Sequence, residues 1–233
     1  MGDSLSEQRS TEDEPVGRRE AGKAERRQRI IQAAREMIRE TGDAGLSMRA
    51  LAERAGVSPA TPYNLFGSRR AIVLVAVGDV PEFLTRFHRM PAKDPVEPLF
   101  RAVALAVEFY VQDPFFYRTL WRAVFDASEN IRSEIYSAER DAFWRRLLDA
   151  AEQAGVFQPG VSLELLWRAL DRTFSSAMLE WVMGELPDAR LGAAICHGYA
   201  LVLGGAASEE WRPALLARLK DAQIALEAAG AAT

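Results

Sequence analysis

The sequence predicts an all-α protein: a three-helix N-terminal domain followed by a larger helical bundle, about nine to ten helices in total. Three observations predict it. Apolar residues recur at three- and four-residue steps through most of the 233 residues, which puts them on one face of a helix. Pairs such as Asp94-Pro95 and Asp113-Pro114 join a capping side chain to a residue suited to a first helical turn. Sustained period-two alternation, the mark of a half-buried strand, is not found.

The elements follow in order. Residues 1–20 carry almost no large apolar side chains and are expected to be a disordered arm. A first helix starts near Lys23, places Ile30, Ala33, Ala34, Met37 and Ile38 on one face, and ends at Gly42. Ser47 caps a short helix over 48–55, which Gly56 breaks. Ser58 and Pro59 read as the cap and first position of a third helix ending near Phe66 and Gly67. Ser68 caps a fourth, which Pro81 should kink or split. Helices of about 95–112, 114–126, 130–154, 162–184, 188–206 and 211–228 complete the chain, separated by glycine and proline. The expected organisation is an arm over 1–20, a first domain over 21–72 and a second over 73–230.

Charge separates these parts. Residues 18–72 hold twelve Lys and Arg against six Asp and Glu, while residues 73–233 hold sixteen against twenty-two, within an overall charge of −4. A basic head on an acidic body directs the head towards phosphates and keeps the body off them. Cys196 is the only cysteine, so no intrachain disulfide forms, and a reducing cytoplasm is the expected compartment. No apolar run reaches the roughly 18 residues of a membrane span, so no membrane partner is expected. His88 and His197 lie far apart in the sequence, and neither has metal-ligand spacing; no metal or cofactor is expected. Gly-rich phosphate loops, GxSxG, HExxH and paired Glu-x-x-His ligands are all missing from the sequence, which argues against an enzyme.

The segment LAERAGVSPATPYNLF, residues 51–66, carries the functional signal. Ala52 is small where two helices cross, Gly56 supplies a turn that needs positive φ, and Val57 can plug the angle between them. That is a helix-turn-helix, whose second helix enters the DNA major groove; an αα-hairpin in a generic bundle is the competing reading.

Across residues 29–73 the sequence resembles the N-terminal domain of the TetR family of transcriptional regulators. The resemblance rests on the Ala-Ala of the first helix, Gly42, the Ser-x-Arg of Ser47 and Arg49, and Ala-Gly-Val-Ser. The Thr-x-Tyr of Thr61 and Tyr63, then Phe66, Ser68 and Arg69, complete it. It implies a homodimer on a double-stranded DNA operator. Arg49 would reach a base edge or nearby phosphate, while Thr61, Tyr63 and Arg69 would hold the backbone. Ser47, Ser58, Ala60 and Ser68 would lie beside the same surface. Asn64 stands where the family often has histidine, and Arg70 where an acid is frequent. Pro62 replaces an aliphatic residue; with Ser58 as the cap it removes a first-turn bond and presses on the carbonyl four residues back, a strain that a 3₁₀-like opening would relieve. Arg18, Arg19, Lys23, Arg26, Arg27 and Arg29 are further candidates for DNA contact.

The family resemblance also implies a ligand pocket among the aromatic helices of 95–183, for which Trp121, Phe125, Trp144 and Phe174 are the candidate lining. Arg122, Arg145 and Glu180 are candidates for its charge, against a solvated face for each. An apolar or aromatic small molecule fits such a lining. The helices over 162–184 and 188–206 correspond in order to the family's dimerisation pair, with Leu170, Ala177, Trp181, His197 and Leu201 as candidate interface residues; an internal bundle would show the same pattern. The expected function is a repressor that releases a palindromic operator on binding its effector. The alternatives are a DNA-binding dimer with no effector and a helical-bundle enzyme.

Overall fold

The computed structural model describes residues 13–77, 80–125 and 138–230, and among them there are eleven helices. We label them α1 (Asp13–Thr41), α2 (Met48–Arg54), α3 (Thr61–Phe66), α4 (Arg69–Val77), α5 (Val80–Arg89), α6 (Glu97–Gln112), α7 (Pro114–Phe125), α8 (Ala138–Gln153), α9 (Leu163–Met183), α10 (Asp188–Ala206) and α11 (Arg212–Gly230). Residues 78 and 79 between α4 and α5, where the kink or split ahead of Pro81 was expected, lie outside the described residues. The single β-type pairing among the described residues is an isolated antiparallel bridge between Phe157 and Ala207. The chain forms two compact units, residues 1–76 and 77–233.

In the first unit α1 begins ten residues earlier than the sequence led us to expect, at Asp13. Residues 13–20 are therefore helical rather than a disordered arm; residues 1–12 lie outside the described region. The physical reason is cooperativity: a packed helix has already met its nucleation cost, and Arg, Glu and Ala extend it at little further cost. The buried face of α1 comprises Ile30, Ile31, Ala33, Ala34 and Ile38. The unit also ends later than expected, at residue 76 rather than 72, and Arg35 Nε donates to the carbonyl of Ala76 at 3.1 Å, tying the last turn of α4 to α1.

The second unit is built on α9 and α10, which pack on each other, with α7 and α8 against α9 and with α6 and α11 against α10. Its core holds Leu99, Phe116, Leu120, Leu148, Leu170, Met178, Trp181 and Tyr199, all fully buried. Asp94 Oδ1 accepts from the N–H groups of Val96 and Glu97 and so starts α6, while Oδ2 accepts from Arg218 of α11 at 2.8 Å. The expected helix over 130–154 is seen from Ala138 onward; residues 130–137 lie outside the described region.

Candidate nucleic-acid interface

The helix-turn-helix is closed by backbone geometry that its sequence dictates. Gly56 takes φ +63°, and the N–H of Val57 then reaches the carbonyl of Ala52 at 3.0 Å, a Schellman ending that needs a left-handed residue at this point. Ala52 is buried at the crossing and Val57 is half-buried in the angle. Ser47 caps α2 by accepting from the N–H of Ala50. Arg54 and Glu40 pair at 2.7 Å between the ends of α2 and α1, and that hydrogen bond holds the Glu40 carboxyl below its ordinary pKa.

The start of α3 corrects one expectation. The N-cap is Ala60, not Ser58, and the helix begins at Thr61 with Pro62 in its first turn. The N–H of Thr61 donates to the carbonyl of Ser58 at 2.9 Å, a three-residue step of the 3₁₀ kind. Pro62 has no N–H for that carbonyl, four residues back, and the tighter turn supplies one instead. Ser58 Oγ and Thr61 Oγ1 lie 2.8 Å apart, so the serine hydroxyl joins the threonine's rather than capping backbone.

This arrangement turns α3 outward. Pro62 is buried beneath it, while Tyr63 is 53% exposed and Asn64, Ala60 and Ser58 are exposed. Tyr63 is therefore not a core ring. Thr61 is half-buried. Gly67, with φ +77°, ends α3, and Ser68 Oγ accepts from the N–H of Ala71 at 3.0 Å to open α4. Arg69 is exposed on the first turn of α4 and Arg49 is exposed on α2, whereas Ser68 and Arg70 are half-buried. One basic candidate has a different role. Arg27 donates to the carbonyl of Leu65 at 3.2 Å, with its guanidinium 4.3 Å from the centre of the Phe66 ring, and so clamps α1 to the end of α3.

The aromatic candidates of the second unit fall into two groups. Trp121 lies 5.7 Å from Phe125 and 5.9 Å from Phe174, with Tyr110 and Trp181 adjoining. Trp144 belongs elsewhere, stacked on Trp167 at 5.4 Å and set edge-on to Phe143 and Tyr199. Between the groups Arg140 faces both Trp167 and Phe174 and pairs at 2.7 Å with Asp171, which is only 3% exposed. This buried pair escaped the sequence reading. The signal was an acid on an apolar stripe, four residues after Trp167 and three before Phe174. Arg122, Arg145 and Glu180, by contrast, are exposed, and Arg145 pairs with Glu164 at the surface. Trp167 and Trp181 donate their indole N–H groups to Asp141 and Asp188, whereas the buried Nε1 of Trp121 lies beside the Tyr110 hydroxyl and meets no other acceptor among the described residues. Burial pushes the neighbouring Tyr110 hydroxyl up to about 12.

The dimerisation candidates need correcting. Leu170, Ala177 and Trp181 are buried within the protomer's own core, because the apolar stripe of α9 faces inward. His197 is half-buried, and Leu201 alone of the five is exposed. The exposed apolar residues of α9 are instead Leu165, Leu179 and Met183.

Fold and site together define a class: an all-helical, two-unit protein whose smaller unit is a helix-turn-helix head with a solvent-facing second helix. Residues 30–76 match the family of bacterial regulatory proteins of the tetR type. The transcriptional repressor KstR2 of Mycolicibacterium smegmatis is 25% identical over 189 residues, 78% of this chain and 91% of its own. Full-length TylP, a TetR regulator of Streptomyces fradiae, superposes with a TM-score of 0.60 at 19% identity, covering 92% of this chain and 94% of its own. SmeT, repressor of the Stenotrophomonas maltophilia multidrug efflux pump SmeDEF, does so with a TM-score of 0.56 at 20% identity, covering 78% and 91%. Residues 30–76 are thus a tetR-type helix-turn-helix domain, and the rest of the chain shares the fold of TetR regulators.

Proposed function

We propose that this protein is a ligand-responsive repressor: a homodimer that grips a near-palindromic duplex operator through two heads and releases it when an apolar small molecule enters the helical body. The observation that carries the DNA reading is the exposed face of α3, where Tyr63 and Asn64 stand in solvent and Arg69 follows on the first turn of α4. A half-exposed tyrosine beside an exposed arginine suits phosphate oxygens, since both are donors and neither is needed by the core. Arg49 is the candidate for base readout, because a guanidinium can be bidentate to guanine O6 and N7. The names of the relatives favour repression. Release by an effector draws support from the Trp121 cluster, an aromatic surround of Tyr110, Phe125, Phe174 and Trp181.

The test is fluorescence anisotropy on an operator selected from genomic fragments. Tyr63→Ala and Arg69→Ala should weaken binding to every duplex, with Arg69→Ala lowering the salt slope by about one unit. Arg49→Ala should instead relax sequence preference, at roughly 1–3 kcal/mol on the preferred site. Unchanged binding in all three variants would mean that the recognition surface lies elsewhere.

A further inference from the structure

We propose that the N-terminal overhang of α1 is a second DNA-binding element, in which Arg19, Lys23 and Arg26 run along duplex phosphates flanking the site covered by α3. The inference rests on the DNA-binding reading of the head and extends it to a surface outside the helix-turn-helix.

On α1 the residues that pack the domain, Ile30, Ala33, Ala34 and Met37, share one face with Arg19, Lys23 and Arg26. At about 100° per residue all seven fall within a band of roughly 100°. Where the domain stops, the same face therefore changes from apolar to cationic. Arg19, Lys23 and Arg26 are all exposed, and Glu20 and Glu25 lie roughly 90° or more from the middle of the cationic stripe. Glu25 is turned away from the stripe, and Glu20 borders it at Lys23 alone, so the stripe keeps a net positive charge.

Two contacts fix where this stripe begins. Arg27 is clamped to Leu65 and Phe66 at the end of α3, three residues before Arg69. Arg29 lies beside the inter-helix turn, with its Nη1 3.5 Å from where a Cβ on Gly56 would stand. The stripe thus leaves the domain at the end that carries the start of α4. It runs about 10 Å from Arg26 to Arg19 at 1.5 Å per residue, the axial length of about three successive phosphates on one strand. Gly22 sits within it, and a Cβ there would meet Arg26 Nη1 at 3.4 Å, so that guanidinium lies back along the stripe. A cationic helix face continuous with a DNA-reading surface, and long enough for several phosphates, is complementary to duplex backbone and carries no device for reading bases.

The probe is mixed-sequence duplex DNA of about 40 base pairs, room for two heads spaced by a turn or two, titrated by anisotropy across a salt series. Because the term is electrostatic, the combined Arg19→Ala, Lys23→Ala and Arg26→Ala variant should lower the slope of log K against log salt by up to about 2.7 per bound head, at about 0.9 per phosphate. The charge-retaining variant Arg19→Lys, Lys23→Arg and Arg26→Lys should keep the wild-type slope. Arg69→Ala serves as the reference for the head itself. If Arg69→Ala lowers the slope while the triple alanine variant keeps it, the stripe is a solvated face and this inference is overturned alone. If the wild-type chain shows no salt-dependent binding to any duplex, the inference and the DNA reading of the head fall together.

Discussion

Gly198 is placed where α10 crosses α9 beside Thr173, and a Cβ built on it would stand 2.2 Å from Thr173 Cγ2. The threonine cannot swing aside freely, because its hydroxyl donates to the carbonyl of Ala169 at 3.0 Å. Glycine is thus required by packing, although in a helix interior it costs about 1 kcal/mol relative to alanine. Gly198→Ala should therefore destabilise the protein, by about 1–3 kcal/mol of overpacking, against the gain in helix propensity. Thr173→Ser, which deletes the offending methyl and keeps the hydroxyl, should recover most of that loss in urea unfolding of the double variant. Purely additive single effects would mean that the two residues do not clash. At the same scale Cys196 needs no reactive role: burial pushes its thiol up to about 11, so the nucleophilic thiolate is scarce at neutral pH.

At the scale of elements, the exposed and buried faces of α9 decide how a dimer can form. Its inward stripe is used by the protomer, whereas Leu165, Leu179 and Met183 share an outward face, within roughly 40° of one another, and are 66%, 44% and 64% exposed. On α10 the outward residue is Leu201, with His197 one turn before it. Exposed apolar side chains on two helices that pack on each other, Leu179 and Met183 beside Leu201, suit a second copy of the same face. Leu179→Glu together with Leu201→Glu should turn a micromolar dimer into a monomer by sedimentation velocity without lowering the melting temperature of the fold. Ala177→Glu would test something else, because a carboxylate there would be buried in the protomer itself. A wild-type monomer, or a dimer indifferent to both glutamates, would remove α9 and α10 from the interface.

At the scale of the whole molecule, head and body are joined through α4, which is capped by Ser68 and ends at Val77, where the first unit gives way to the second. A ligand of the body and DNA on the heads oppose each other only if each favours a different conformation, and the coupling is then reciprocal. For coupling of about 1–3 kcal/mol, an effector found by thermal-shift screening should reduce operator affinity roughly 5–150-fold. Trp121→Phe keeps an aromatic ring but removes the buried indole N–H. It should weaken those effectors that present a hydrogen-bond acceptor and leave operator binding without effector nearly intact. Binders that stabilise the body yet never alter operator affinity would refute release by an effector.

Much of this protein was legible in the sequence. The all-α class, the turn at Gly56, the caps at Ser47 and Ser68 and the 3₁₀ opening ahead of Pro62 all follow from local rules, since periodicity, capping and proline chemistry act over a few residues. The start of α3 was not readable in the same way, because Pro62 shifts it from the expected Ser58 cap to Thr61, with Ala60 as the N-cap. Tertiary structure alone decided which face of α9 is inside, because an apolar stripe looks the same whether its partner is the same chain or another copy. It alone showed Arg27 spent on Phe66 and Asp171 buried against Arg140. Those outcomes depend on groups tens of residues apart meeting in space, and no local pattern records such meetings.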